Sequence, residues 1–540
     1  MAVAAAVRLP YLQLVPVISD EAFEVLAAQG MVGGKFIWFG PFDPTTGPLV
    51  TWLLALAVWL FGSSAYLARA VTVVFGVLTV GLAYLLGRSL ATKVATTGLA
   101  GGAESTVTTN DTKAVVWRGR IAGAAAGLLL AFNPVHTIVN SHIAWSNSAT
   151  PLFATATFLA LHGAVRRNNG WLLVLGGLLF GLALQTHISM LVVIPGLVVW
   201  FLARRDAILG NRAWLRRPWP YLAVAAAALG YGNMIVYNVM SQGGLLADAQ
   251  LHTYAWEPNP SLGVYLDRLA SLLTNLGQTV GGQVPRVAGG WGLTGLVVGL
   301  LVAWLLAALA YMAWRGEWLP VLVVVSTAVV MPYFNKRYDG LLSQRYTAFL
   351  MPLCFAAMGA LAAEVVRLWG KVRHSAGPVP SERGDVTRKA WGKQALAALA
   401  VGLMLVVAVY PIRNTLANYS AETKAGRDNR LTLAFTGYVK TILPPGTALY
   451  VSSGLQDKAE GPGYRFLRAI YYYLTMEGVG HRILDLPAIV AELEAAPGQR
   501  AWLVLTANDY QKLSQQFKLE PVAGGPQVPN GGYVASYSPP

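Results

Sequence analysis

Apolar residues run along this chain in blocks long enough to cross a bilayer, separated by short polar turns. Candidate spans fall at 1–18, 65–88, 121–140, 147–165, 170–186, 188–203, 219–239, 291–314, 318–334, 346–366 and 395–411. A crossing helix needs about 20 mostly apolar residues, and 121–140 and 291–314 reach that easily. The first block is short and holds Arg8, Pro10 and Pro16. Either its start lies upstream or this helix is partial. No small-x-small site precedes the next polar segment, which argues against a cleaved signal peptide. After Pro411 the pattern changes. Helical periodicity at 429–442, 463–476, 487–496 and 507–516 alternates with strand-like TALYVSS, RAWLVLT and YVASYS. That alternation predicts a small α/β soluble domain. The expected fold is therefore a multi-span α-helical membrane protein of about eleven spans, residues 1–411, followed by an α/β domain, residues 412–540.

Composition sharpens this picture. Of 540 residues, 55% are hydrophobic and only 12% charged, against about 25% charged in soluble domains. An ordinary soluble enzyme and a wholly disordered chain are both excluded. The single cysteine, Cys354, rules out a disulfide framework and a cysteine-based zinc site. It lies in an apolar run and reads as a small buried hydrophobe.

The net charge of +15 suits either nucleic-acid binding or the positive-inside bias of a membrane protein. Position decides. A further apolar stretch, PLVTWLLALAVWLFG at 48–62, is short for a span. If it lies in the interface, loops 88–120, 166–169, 204–218, 315–317 and 367–394 share one side. Together they carry 20 Lys/Arg and 6 Asp/Glu. The opposite loops before residue 412 hold eight Asp/Glu and fewer basic residues. The arginine-rich side is the cytoplasm, so 48–62 is expected to be an amphipathic interfacial helix with Trp52 and Trp59 at headgroup level. Positive charge spread over such loops is not a nucleic-acid groove. Residues 92–113 and 371–393 read as disordered cytoplasmic connectors, and the C-terminal domain is expected outside.

With this topology the polar chemistry gathers on the outer face. The first outer loop carries Asp20, Glu21, Glu24 and Lys35; Arg69 opens the next span; His136, Asn140, His142 and Asn147 surround a further turn. His187 lies between two apolar runs, and loop 335–345 carries Lys336, Arg337 and Arg345, followed by Tyr346. Acids in a helix's first turn are favoured by the macrodipole, yet a carboxylate at a membrane face can also serve as a general base. Arg69 and Arg345 can anchor their spans in headgroups or clamp a phosphate in bidentate fashion. Lys336 and Arg337 fit a solvated loop. His136 and His142, six residues apart, are poorly spaced for metal on one helix face. Gly177 and Gly181, like Gly123 and Gly127, form small-xxx-small pairs that serve helix packing.

These pieces, in order, resemble the polyprenyl-phosphate-sugar-dependent glycosyltransferases of the GT-C fold, the group of protein O-mannosyltransferases and the lipid A aminoarabinose transferase. The resemblance is carried by SDEAFEVLAAQG, by GPLVTWLLALAVWLFG and the span after it, and by NPVHTIVNSHIAWSNSATPLF, LALQTHISMLVVIP and SQRYTAFLMP, between residues 19 and 360. It implies Asp20 as catalytic carboxylate with Glu21 beside it. It implies Arg69, His187, Arg345 and Tyr346 at the donor phosphate, with Lys35, His142, Asn147, Lys336 and Arg337 as further candidates. This chain has Gly47 and His187 where many members carry lysine, and Asn147 where an acid is common. The implied reaction moves a sugar, with inversion, from a polyprenyl-phosphate donor to a hydroxyl of a lipid, polymer or protein at the extracytoplasmic face of a bacterial cytoplasmic membrane. No cofactor or metal is expected, and no nucleic acid.

Two other classes compete. A transporter or flippase would show inverted repeats and charges near mid-membrane; no repeat is visible, and Glu364 is the one clear acid within a full-length span. A non-catalytic membrane assembly protein would tolerate loss of the Asp20 carboxylate.

Overall fold

A computed structural model of the chain describes residues 1–540 except 14, 16, 39–44, 93–108, 210–216, 245–259, 284–291, 336–337, 339–342, 376–423, 456–465, 523–527, 529–531 and 540. Its centre is a set of long apolar helices. They are α4 (Ala65–Ala91), α5 (Thr109–Ala131), α7 (Thr150–Arg167), α8 (Gly170–Thr186), α13 (Gly292–Trp314), α14 (Leu319–Phe334) and α15 (Met351–Ser375). Among the described residues five helices are long and apolar enough to cross a membrane. A sixth span results if α10 (Trp219–Gly230) and α11 (Gly232–Met240), which meet at a 67° bend, count as one.

α15 forms the axis. Residues 351–360 are buried to the last atom or nearly so. A Cβ added at Gly359 would come within 2.3 Å of the Ala122 carbonyl oxygen on α5. α8 and α10 approach equally closely: a Cβ at Gly177 would meet the Ala223 carbonyl oxygen at 2.0 Å, and one at Gly181 that of Ala227 at 2.2 Å. Such contacts let helix backbones touch where lipid supplies no hydrophobic drive.

The structure redraws several expected elements. The block 1–18 is not one helix: α1 (Ala2–Arg8) gives way to a short 3-10 turn, Leu9–Tyr11. The span expected at 121–140 starts earlier and ends at Ala131. Asn133 then accepts the His136 N–H at 2.9 Å and Pro134 opens a separate buried helix, α6 (Pro134–Ser141). The expected connector 92–113 is helical from Thr109, and 371–393 is helical to Ser375. The block 188–203 begins as 3-10 helix, Ile188–Val193, and continues as α9 (Ile194–Leu209). The eleventh expected span, 395–411, and the boundary at 411 lie outside the described residues. The segment 48–62 is indeed helical, α3 (Leu49–Phe61), with Trp59 exposed. Trp52 donates its indole N–H to the Ile37 carbonyl at 2.8 Å.

One helix escaped the hydropathy reading: α12 (Leu262–Gly281), placed within an outer loop by sequence. Asp267, Arg268, Asn275 and Gln278 keep its mean apolarity below that of a span. Its apolar face packs on α13 and α14. Its polar side chains bond the segment that leads into α15.

The C-terminal region holds a five-stranded sheet, β1 (Ala448–Ser452), β2 (Arg482–Leu484), β3 (Ala501–Leu505), β4 (Leu519–Pro521) and β5 (Tyr533–Tyr537), in order β2-β1-β3-β5-β4. β1 pairs in parallel with β2 and β3; β5 runs antiparallel to β3 and β4. Alternate residues face opposite sides, as strand geometry requires. Leu449, Val451, Trp502 and Val504 pack towards α16 (Lys424–Ile442) and α17 (Phe466–Met476). Tyr450, Leu503 and Leu505 pack towards α18 (Leu486–Ala495) and α19 (Ala507–Ser514). β2 and β4, three residues each, were too short for the sequence pattern to show.

This sheet region is not a detached module. Its α17 face shares one apolar core with Ala22, Val25 and Ala28 of α2 (Ser19–Val32) and with Leu54 of α3. Gln29 donates to the Thr475 carbonyl at 3.2 Å, Ser63 to that of Met476 at 3.0 Å, and the Arg468 guanidinium lies 3.9 Å from the centre of the Phe23 ring.

Candidate active site

α2 starts at Ser19, with extended Ile18 before it, so Asp20 and Glu21 both lie in its first turn. That position favours negative charge through the helix dipole. Their side chains nevertheless go to opposite fates. Glu21 is fully buried and grips Arg69 on α4 in bidentate fashion, with both N···O distances 2.7 Å. It also accepts the Ala144 N–H at 3.2 Å. Arg69 donates its other terminal nitrogen, Nη1, to the carbonyls of Leu12 (2.6 Å) and Val15 (2.7 Å). One turn on, buried Glu24 accepts the Ser146 N–H at 2.7 Å, the Ser146 hydroxyl and the Thr51 hydroxyl at 3.3 Å. Glu21 and Glu24 thus rivet α2 to α4, to α3 and to the turn before α7.

Asp20 points the other way. Its side chain is 55% exposed and meets the Arg345 guanidinium at 3.4 Å, with Arg345 26% exposed. The Arg345 guanidinium donates to the Tyr346 hydroxyl at 3.0 Å and lies 5.1 Å from the centre of the Trp145 ring. Tyr346 in turn packs edge-on against His187, ring centres 5.8 Å apart. The structure therefore brings Asp20, Arg345, Tyr346 and His187 into one chain of contacts, with Trp145 as a wall.

The Arg345 segment, Ser343–Tyr346, is a 3-10 turn held from behind by α12. The Asn275 amide donates to the Tyr338 carbonyl (3.0 Å) and the Ser343 hydroxyl (2.9 Å), and accepts from the Thr347 hydroxyl (2.8 Å). Thr279 and Thr347 share a further hydroxyl bond at 2.8 Å. His187 caps the 3-10 helix after it, its Nδ1 accepting the Ser189 N–H at 3.0 Å. Burial first, and then the nearby Arg345 charge, push the His187 imidazole down to about 3. It is neutral there, a hydrogen-bonding wall and not a cation.

Several expected site residues sit elsewhere. Arg69 is buried with four of its five N–H donors bonded inside the protein, and Glu21, its partner, is buried with it. His142 is buried with Nε2 against the Arg8 carbonyl at 2.8 Å, which ties α1 to the turn after α6. Lys35 is exposed beyond the far end of α2, about 18 Å along a helix rising 1.5 Å per residue. Asn147 is buried beside the site's wall, its carbonyl accepting the Asn140 amide at 3.1 Å. Lys336 and Arg337 lie outside the described residues. Sequence reading passed over Trp145 and Asn275; an isolated tryptophan or amide carries no pattern. Among the described residues no group of three or more His, Cys, Asp or Glu could hold a metal.

The helix arrangement around this cluster has solved counterparts. The crystal structure of ArnT from Cupriavidus metallidurans bound to undecaprenyl phosphate matches over 99% of this chain and 96% of its own, at 15% identity and a TM-score of 0.57. The chain has the GT-C fold. The apo form of the same ArnT matches over the same shares at 16% identity and the same score. The apo oligosaccharyltransferase of Archaeoglobus fulgidus covers 89% of this chain and 63% of its own, at 14% identity and a TM-score of 0.44. In sequence, residues 115–232 match the dolichyl-phosphate-mannose-protein mannosyltransferase family; no curated protein matches the chain. In this GT-C chain the matched stretch runs from α5 to the first turn of α11 and contains His142, Asn147 and His187. Asp20 and Arg345 flank it on either side.

Proposed function

We propose that this protein is a membrane glycosyltransferase that moves a sugar from a polyprenyl-phosphate donor to an acceptor hydroxyl at the extracytoplasmic face, with inversion at the anomeric carbon. The observation that carries this reading is the Asp20–Arg345 pair: a carboxylate and a guanidinium held on separate elements, in contact and open to solvent, on a fold shared with a polyprenyl-phosphate-binding transferase.

Magnitudes separate this pair from its neighbour. An exposed ion pair is worth at most about 1 kcal/mol, so an arriving phosphate can take Arg345 from Asp20 at little cost. Removing a partner from a buried pair such as Glu21–Arg69 costs about 3–5 kcal/mol. The first pair is available for chemistry; the second is scaffold.

In the proposed reaction the acceptor oxygen attacks the anomeric carbon while the bond to the phosphate oxygen breaks. Asp20 takes the hydroxyl proton. Arg345, freed from Asp20, places its charge on the departing lipid phosphate, the kind of preorganised stabilisation that lowers barriers most. Tyr346 holds the guanidinium plane and neutral His187 backs Tyr346. A phosphate leaves without protonation, so one carboxylate suffices in this scheme. The positive charge of the loops opposite the site supports an outward-facing Asp20 and a multi-pass location in a bacterial cytoplasmic membrane.

The test is transfer by purified protein from a radiolabelled polyprenyl-phosphate sugar to lipid, glycan and peptide acceptors. Product formed by the native chain and lost in Asp20→Asn supports the reading. Absence of transfer from every such donor, with intact folding, turns attention to the transporter class.

A further inference from the structure

α4, α7 and α8 each run from the Asp20 end of the bundle to the other. Arg69 and Arg88 on α4 are 19 residues apart, about 28 Å of helix, close to the thickness of a hydrocarbon core. At that far end lies a groove of about 670 Å³ between α4, α5, α7 and α8. Its walls are apolar: Leu82 and Leu85 of α4, Leu159 of α7, Leu175 and Leu179 of α8. Its mouth is ringed by Arg88, Arg166 and Arg167.

Three other basic residues at this end are already engaged. Arg118 pairs with Glu364 at 2.6 Å, Arg367 pairs with the same carboxylate, and Arg315 donates to the Leu90 carbonyl at 3.2 Å. The three groove arginines differ. Among the described residues none of them has an ion-pair partner. Arg166 donates hydrogen bonds to the Ser89 carbonyl, the Ser89 hydroxyl and the Thr92 hydroxyl, with the Glu317 carboxylate near enough to act on its charge but not in ion-pair contact. Arg88 and Arg167 are exposed. The groove runs from these arginines past Leu82 on α4, six residues from Arg88, to Ala156 on α7, eleven from Arg167. That is about 9–16 Å at 1.5 Å per residue, about the depth of one leaflet. Exposed Trp117 and Trp171 flank the mouth on α5 and α8, as aromatic residues do at headgroup level.

We propose that this groove is a binding site for an anionic two-chain glycerophospholipid of the leaflet opposite the Asp20 site. Its phosphate would meet Arg88, Arg166 and Arg167, and an acyl chain would lie along the leucines. Basic pockets between membrane helices on the cytoplasmic side take such headgroups. One-leaflet depth and distance from Asp20 favour a membrane phospholipid over the polyprenyl donor, and apolar walls favour it over free phosphate. The proposal stands whether or not the protein transfers sugar.

The experiment is native mass spectrometry of purified full-length protein after exchange into nanodiscs containing phosphatidylglycerol, phosphatidylcholine or both. The expected result is one retained phosphatidylglycerol, preferred at least tenfold over phosphatidylcholine. Arg88→Gln and Arg167→Gln should each cut that preference about fivefold, the worth of one basic residue near an anionic surface. Leu175→Trp, which fills the groove, should lower retention of both lipids. Arg167→Gln alters an exposed side chain and so keeps the test usable if other variants fold poorly. Equal retention of the two phospholipids, retention unchanged by both arginine variants, or recovery of polyprenyl phosphate from the groove overturns the proposal.

Discussion

Arg345 lies 3.4 Å from the half-exposed Asp20 across 325 positions of sequence, while Glu21, the residue after Asp20, is sealed on Arg69 with no exposure at all. The two acids differ by 100° of helix rotation. One faces the Arg345 cluster and the other faces the bundle, and their variants should behave differently.

Asp20→Asn keeps the side chain's size and removes its capacity to take a proton. Turnover should fall about 10²–10⁴-fold, the usual contribution of a general base, with donor binding nearly unchanged. If Asp20 serves only the helix dipole, the variant loses about 0.3–1 kcal/mol of stability and turns over normally in its folded fraction. A transfer assay beside a thermal unfolding curve separates the outcomes.

Arg345→Gln breaks the partly exposed Asp20 pair and the bond to the Tyr346 hydroxyl, so stability should fall by only about 1–2 kcal/mol. Transfer should drop by about 10²–10³-fold if Arg345 stabilises the leaving phosphate. Arg345→Lys keeps the charge but not the fork, and should recover only part of it. Near-normal transfer in Arg345→Gln would dismiss the phosphate role.

Glu21→Gln and Arg69→Met should each destabilise the fold by about 3–5 kcal/mol, because each strands a buried charge. The double change Glu21→Leu with Arg69→Met should be milder than either, since apolar replacement of both partners leaves no charge unpaired. Chemical unfolding in detergent measures this. Additive losses in the double variant would argue against a scaffold role.

His187 has a folded-state value of about 3 against about 6.5 in an unfolded chain. Between those values the unfolded state binds more protons, so stability rises with pH there. The contribution is complete above about pH 6.5 and is lost as pH falls toward 3. His187→Gln keeps an acceptor for the Ser189 N–H and removes the titration. Unfolding midpoints from pH 8 to 4 should therefore fall more steeply in the native protein than in the variant. Parallel curves would contradict a buried neutral imidazole.

Asn275→Leu should cost about 1–3 kcal/mol, because the Thr347 hydroxyl and the Tyr338 carbonyl lose a buried partner. It should also lower transfer by loosening the turn that carries Arg345. Crystallographic or cross-linking distance between positions 20 and 345 in this variant checks the cause: an unchanged distance with lowered transfer would point to another route.

Much of this protein was legible in its sequence. Long apolar blocks dictate long apolar helices, because in lipid every backbone N–H and C=O must find its partner within the segment. YVASYS reads as a strand through the two-residue period of side chains, and the short apolar run in RAWLVLT as one buried on both faces. SDEAFE announced an acidic helix start, and SQRY a basic turn before a span. Proline and asparagine at 133–134 carried the break that splits the expected third span, though hydropathy alone passed over it.

What the sequence could not decide is which acid meets which arginine. Asp20, Glu21 and Glu24 are chemically alike along the chain, as are Arg69 and Arg345. Only the packing of α2 against α4 turns Glu21 and Arg69 inward, where desolvation makes their pairing obligatory, and leaves Asp20 and Arg345 to meet at the surface. The same is true of α12, too polar on one face to read as a membrane helix, whose Asn275 finds its role only once folding brings Tyr338, Ser343 and Thr347 to it. It is true of α17 as well, an amphipathic helix in sequence whose apolar side chains join the sheet and α2 in one core. Local pattern sets the elements; the burial of charges and apolar faces, a property of the whole fold, selects the residues left free to act.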